Sequence, residues 1–244
     1  MDKHRNYRDF RMGGHGLRPD DCFYIDFHVH TIYSHDSFNG FDIFLRAQKK
    51  NYHIAITDHD SVKGIQVGRK LGLKFIPGIE ITTDRGDLIG LFADFSDPKR
   101  FYKRMDFYEA LDKIKEDGGI SVCPHPFDVL RRKAIRDEKV ISACDAVEGY
   151  NSRTIFEGTS VRAMKFALAH GKPITVGSDA HFPIELWNSY MKFTDERVFD
   201  DPKVLLKELK KRPEYHVQQT FMFAPALTFV LKHVYKRIAP DRRL

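Results

Sequence analysis

Two histidines one residue apart close the apolar run Tyr24-Ile25-Asp26-Phe27-His28-Val29-His30. On an extended strand alternate side chains share a face, so these two rings stand about 6.6 Å apart along the backbone and can converge on one metal ion. Neutral imidazole is a good ligand for Zn, Mn or Fe. His35 and Asp36, in the loop that follows, offer a ligand to a neighbouring ion. A single His-X-His can equally be a pair of polar residues at a strand end, so the decision falls to the rest of the chain.

The same combination recurs. The apolar run at 53–57 leads into Asp58-His59-Asp60, and 74–79 leads into Glu80. The run at 120–123 leads into Pro124-His125-Pro126, and 173–177 into Ser178-Asp179-Ala180-His181. In α/β folds the loops at the carboxyl ends of parallel strands gather on one face, where ligands bind. Histidines and carboxylates at successive strand ends therefore predict one shared metal pocket.

The elements that must position these residues alternate between short apolar runs and stretches of helical period, the pattern of βα units around a mostly parallel sheet or barrel. Strands are expected at 24–30, 53–57, 74–80, 87–93, 120–123, 146–150 and 173–177, the last clear one. The fourth should be antiparallel, turning at Arg85-Gly86. Helices are expected at 41–50, with Asn51 in the left-handed cap, and at 62–71, stopped by Gly72. Further helices are expected at 98–117, opened by Asp97-Pro98 and closed by Gly118-Gly119, at 159–170, and at 202–211. An apolar helix at 224–238 should dock on the barrel. The division that follows is a flexible basic arm at 1–21, a barrel domain at 22–200, and C-terminal helices packing on it at 201–244. His4 and His15, in the arm, have no apolar scaffold to fix them and are expected to be solvated.

A chain of 244 residues, 42% hydrophobic and 30% charged, can bury a sizeable core as one domain. No window approaches about eighteen uninterrupted apolar residues, and no apolar segment opens the chain, so neither a membrane span nor a secretory signal is expected. Cys22, Cys123 and Cys144 are odd in number and form no Cys-X-X-Cys pair, which points to a reducing, cytoplasmic setting. The net charge of +6, much of it near the two ends, favours anionic ligands.

The ordered set His-X-His, Thr-Asp-His-Asp, a strand-terminal Glu, His-Pro and Gly-Ser-Asp-Ala-His resembles the PHP (polymerase and histidinol phosphatase) family of metal-dependent phosphoesterases, over residues 24 to 183. The resemblance implies a distorted (β/α)7 barrel with two or three divalent ions, Zn, Mn or Fe. It implies that His28, His30, Glu80 and Asp179 hold the first ion, with Glu80 bridging to a second on His125. Asp36, a better match than His35, would hold a third with His59 and His181. Asp58 and Asp60 would orient the loop or His59. Asn151 would line the pocket. Three-ion relatives carry a further histidine on the strand after the bridging Glu. Here that strand offers Asp87 or Phe92, leaving the second ion weakly held or completed by water. Cys123 reads as a buried core thiol.

The chemistry so implied is hydrolysis of a phosphate ester by a hydroxide formed from metal-bound water, whose pKa falls from about 15.7 toward about 7. Asp179, His59 and His181 are the candidates for positioning the water or protonating the leaving oxygen. Arg131, Arg132 and Arg153 follow strand ends and are candidates for binding the phosphate. The expected substrate is a nucleotide, a nucleic-acid end or a small phosphorylated metabolite, making the protein a phosphatase or an exonuclease. Two alternatives stand beside this. One is a metal-free RNA-binding subunit like that of ribonuclease P, which has lost most of the ligands kept here. The other is an amidohydrolase, whose barrel also opens with His-X-His, although Thr-Asp-His-Asp and His181 fit PHP better. Without a long insertion between Glu80 and His125, the site should be open.

Overall fold

A computed structural model describes residues 22–95 and 97–220. Its scaffold is a nine-stranded sheet in the order β7-β6-β5-β4-β3-β2-β1-β8-β9. The strands are β1 (Phe23–Val29), β2 (Tyr52–Ile56), β3 (Ile76–Thr82), β4 (Asp87–Leu91), β5 (Ile120–Cys123), β6 (Ala146–Asn151), β7 (Ile174–Gly177), β8 (Ser189–Phe193) and β9 (Tyr215–Val217). The helices are α1 (Phe41–Gln48), α2 (Lys63–Lys70), α3 (Phe107–Glu116), α4 (Glu138–Ala143), α5 (Glu157–Ala169) and α6 (Pro202–Lys210).

β1, β2 and β3 run parallel, as do β5, β6 and β7, and β4 is antiparallel to both its neighbours. The reversed strand distorts the barrel. β1 splits its edge: Phe23–Ile25 pair with β8, while Val29 bridges Ala180 just past β7. The Asp179 N–H donates to the His28 carbonyl at 2.7 Å and the His30 N–H to the Ala180 carbonyl at 3.2 Å. The ends of β1 and β7, the first and last strands of the expected barrel, thereby meet, and the sheet nearly closes.

Two buried clusters hold this frame. One joins helix faces, such as Phe44, Ile65, Phe107, Ile114 and Phe166, to the strands. The other joins strand residues such as Ile25, Phe27, Ile89, Val122 and Val176 to Phe199, Leu205 and Leu209. The Phe199 ring packs against Phe23 at the start of β1, centroids 5.1 Å apart, so this second cluster reaches the end of the sheet opposite His28.

Most expected elements are present within a few residues, including the antiparallel β4 and the left-handed Asn51 after α1, at φ 62°. The helix expected at 98–117 is shorter. α3 begins at Phe107 because the Asp106 carboxylate accepts from the Tyr108 and Glu109 N–H groups, and Arg104, at φ 65°, cannot continue a helix. The segment before it lies along β3, with the Arg104 N–H on the Thr82 carbonyl at 2.6 Å. β7 is not the last strand, since β8 and β9 extend the sheet beyond β1. α4 is an addition to the expected list. The arm at 1–21 and the helix at 224–238 lie outside the described residues, as do His4 and His15. Among the described residues, no helix is long and apolar enough to cross a membrane.

Candidate metal centre

Glu80 lies on β3 at the middle of the histidine cluster and is 1% exposed. Its two oxygens face different imidazoles. Oε2 stands 3.0 Å from His59 Nδ1, 3.3 Å from His28 Nε2 and 3.4 Å from His30 Nε2, whereas Oε1 stands 3.2 Å from His125 Nε2. Asp179, past the end of β7, turns Oδ1 toward His30 Nε2 at 3.2 Å, His181 Nδ1 at 3.5 Å and His28 Nε2 at 3.7 Å. Asp36 completes the group, with Oδ1 3.5 Å from His181 Nε2 and Oδ2 3.8 Å from His59 Nε2. The neighbouring His35 side chain is 47% exposed, so Asp36 is the one of the two that turns inward.

These residues fit divalent ions. Two ligand atoms about 2.1 Å from a tetrahedral ion stand about 3.4 Å apart, close to most of the separations above. Ligand atoms lie within 4.8 Å of one another in three groups: His28–His30–Glu80, His30–His59–His181 and Glu80–Asp87–His125. Both His30 ring nitrogens are buried with no hydrogen-bond partner among the described residues, and so is His125 Nδ1. Buried polar atoms without a partner are costly, and a cation between His30, Glu80 and Asp179 would remove that cost at His30 Nε2.

The electrostatics agree. Burial opposes the charge on His28, but Asp179, Glu148 and Glu80 outweigh it and hold the ring's pKa well above the usual histidine range. Burial and the neighbouring His181 push His30 down to about 4, and burial does the same to His59. Burial would raise both Glu80 and Asp179. The imidazoles His59 and His28 reverse this at Glu80, and Arg131 with His28 reverses it at Asp179, so both are held well below the carboxylate range.

Local backbone geometry aims the ligands. His125 and Asp179 both have positive φ, 31° and 54°, a region uncommon for these residues and costing of order 1 kcal/mol. Each leaves its strand with a sharp change of direction. The His125 N–H is held by Glu148 Oε2 at 2.6 Å. The other Glu148 oxygen lies 2.9 Å from His28 Nδ1, leaving His28 Nε2 to face the cluster, and Asn151 Nδ2 donates to Glu148 Oε2 at 3.0 Å. His181 Nδ1 lies 2.8 Å from the Asp179 carbonyl, which likewise leaves Nε2 to face Asp36. Such outer contacts fix the tautomer and orientation of a ligating ring.

Glu148 was not singled out by its sequence context. The available signal was an ionisable residue inside the apolar strand Ala-Val-Glu-Gly-Tyr-Asn. Asp58 accepts from the Thr31 N–H at 2.6 Å and the Thr31 hydroxyl at 2.7 Å, and Asp60 from the Thr82 N–H at 2.8 Å, so both orient loops rather than the His59 ring. Asn151 also donates to Asp179 Oδ2 at 3.2 Å. Of the three arginines, Arg131 reaches the centre, with Nη1 2.6 Å from Asp179 Oδ2. Arg153 is buried with Nε 3.5 Å from Glu185 Oε1, and Arg132 is exposed. Cys123 is fully buried beside Cys144, and burial pushes its thiol well up, as befits a core residue.

A search for relatives finds a protein of Methanocaldococcus jannaschii, uncharacterized protein MJ0417, that is 34% identical over 197 residues, covering 76% of this chain and 78% of that one. The PHP-associated family model matches residues 161–213. The chain belongs to the PHP family. Among solved structures, a two-domain protein of Bacteroides vulgatus containing a predicted PHP-like metal-dependent phosphoesterase superposes with a TM-score of 0.58 at 17% identity. That match covers 81% of this chain and 65% of that one. An amidohydrolase of Chromobacterium violaceum with bound sulfate and no metal gives 0.56 at 18% identity, covering 78% and 97%. At these identities the structures establish the shared fold. As a PHP protein, the chain has a distorted barrel, and its histidine and carboxylate cluster lies at the strand ends with Asp87 beside Glu80 and His125.

Proposed function

We propose that the protein hydrolyses phosphate esters at this centre. One ion would be held by His28, His30, Glu80 and Asp179, a second by Glu80 and His125, and a third by Asp36, His59 and His181. The observation that carries the reading is the split of Glu80, one oxygen toward His28, His30 and His59 and the other toward His125, the arrangement a bridging carboxylate needs. Divalent ions bound there supply the charge that activates water and neutralises phosphate oxygens as the ester bond breaks.

The chain's own residues do the rest. Asp179 stays ionised, and its Oδ1, ringed by three imidazoles, accepts a hydrogen bond from the attacking water and orients it. His59 and His181 stand on the Asp36 side, where they would hold the third ion beside the leaving oxygen, which takes its proton from solvent. Arg131, partly exposed and already aligned on Asp179, meets the phosphate as it enters. The substrate is read as a nucleotide, a nucleic-acid end or a small phosphorylated metabolite. The amidohydrolase among the structural neighbours supports a second reading, with the same ions activating water against an amide.

Product release from a panel separates these readings. It contains nucleoside monophosphates, 3′,5′-bisphosphates, histidinol phosphate, a 5′-labelled oligonucleotide and simple N-acyl compounds. Metal-dependent release of phosphate or nucleotide, abolished in Asp179→Asn with the fold intact, is the expected result. Hydrolysis of the amides alone, or full activity in Asp179→Asn, contradicts the proposal.

A further inference from the structure

The metal-capable groups of the centre differ in chemistry. His30, His59 and His181 offer three imidazoles, whereas the group at the other end, Glu80–Asp87–His125, offers two carboxylates and one imidazole. Asp87 opens β4 opposite Thr82, so the hairpin of β3 and β4 carries it to the cluster on the same ribbon as Glu80. It is 4% exposed, and its Oδ1 has no hydrogen-bond partner among the described residues. His125 Nδ1 is orphaned in the same way, while His125 Nε2 faces Glu80 Oε1 at 3.2 Å. The nearest cation is the Lys133 ammonium, 3.4 Å from Asp87 Oδ1 and hydrogen-bonded instead to the Thr82 hydroxyl at 2.9 Å. Its side chain is 44% exposed.

We propose that Glu80, Asp87 and His125 form a position for a hard divalent cation, Mn2+ or Mg2+, beside imidazole-rich positions that take Zn2+, so that the centre is a mixed-metal one. The inference rests on the metal-centre reading above. Carboxylate and water oxygens suit Mg2+ and Mn2+, and imidazole suits Zn2+ and Fe2+. A dication also balances two buried carboxylates where one imidazole cannot. With the cation absent, Lys133 offsets part of that charge, and it withdraws when the cation enters.

Because Zn2+ outcompetes Mn2+ at most sites, the test is made on the full chain preloaded with Zn2+ and then titrated with Mn2+ in about hundredfold excess over free Zn2+. Metal content and the Mn2+ paramagnetic signal are read together. The wild type is expected to keep its Zn2+ and take up one Mn2+. In Asp87→His that Mn2+ is replaced by further Zn2+, and in Asp87→Asn its affinity falls about tenfold or more with Zn2+ content unchanged. Lys133→Met changes only a half-exposed side chain and should tighten Mn2+ about fivefold, the scale of one solvent-screened charge pair. Zn2+ uptake without Mn2+ in the wild type overturns the inference, as does unchanged Mn2+ binding in Asp87→His or in Lys133→Met. Failure of the wild type to bind either metal is a different result, and it overturns the metal centre itself.

Discussion

His28 carries a carboxylate on each ring nitrogen, Glu148 on Nδ1 and Glu80 on Nε2. With three acidic neighbours raising its pKa well above the usual range, the ring is protonated at pH 7 in the metal-free protein, whereas His30 and His59, near 4, are neutral. Protonated groups must lose their protons to ligate, and here that group is His28. Metal uptake at pH 7 should therefore release on the order of one proton per chain, and affinity should rise about tenfold per pH unit while His28 stays charged. Titration calorimetry in two buffers of different ionisation enthalpy measures that release, and a pH-independent affinity would contradict it. Glu148 also bonds the His125 backbone and Asn151, so it sets the angle of two rings at once. Glu148→Gln keeps its shape but loses its charge, and should weaken metal binding about 10–100-fold, measured by chelator competition, while the thermal melt stays cooperative.

At the scale of elements, the site depends on how closely the ends of β1 and β7 approach. A Cβ added to Gly177 would lie 2.3 Å from His28 Cβ and 2.7 Å from Glu148 Oε1, so only glycine lets the two strands meet with His28 correctly turned. Gly177→Ala should cost about 1–3 kcal/mol in urea denaturation and lower metal content together with it. Unchanged stability would mean that the strands do not meet as described. The strand-end ligands were legible in the sequence because each follows a buried apolar run, and a strand that ends pointing into a shared pocket needs little more than that run to be recognised. The helix expected at 98–117 is shorter because Asp97-Pro98 resembles a helix start, whereas Asp106 caps the helix that forms and the segment before it lies along β3 with Phe101 and Met105 buried. β8 was missed because its buried face is only Ser189, Met191 and Phe193, alternating with the half-buried Tyr190 and Lys192, and β9 because it is largely exposed. Glu148 was hidden for the opposite reason: its partners, His28 and His125, are separated from it by 120 and 23 residues.

For the whole molecule, the cluster ties together distant parts of the chain. His28 sits on β1 and His30 just past its end, His59 follows β2, Glu80 sits on β3, His125 follows β5 and Asp179 follows β7. Apolar packing brings these strands into one nearly closed sheet, and the convergence leaves a dense group of buried carboxylates and imidazoles that ions are needed to balance. The antiparallel β4 brings Asp87 to that group, deciding between the two residues, Asp87 and Phe92, that the strand offers. The account stands or falls on whether those side chains share cations. The direct measurement is the metal content of the purified full chain, by elemental mass spectrometry, after loading with Zn2+ and Mn2+ and removal of free metal. Two or more ions per chain are predicted, falling by at least one in Glu80→Gln, whereas fewer than one ion per wild-type chain would contradict it.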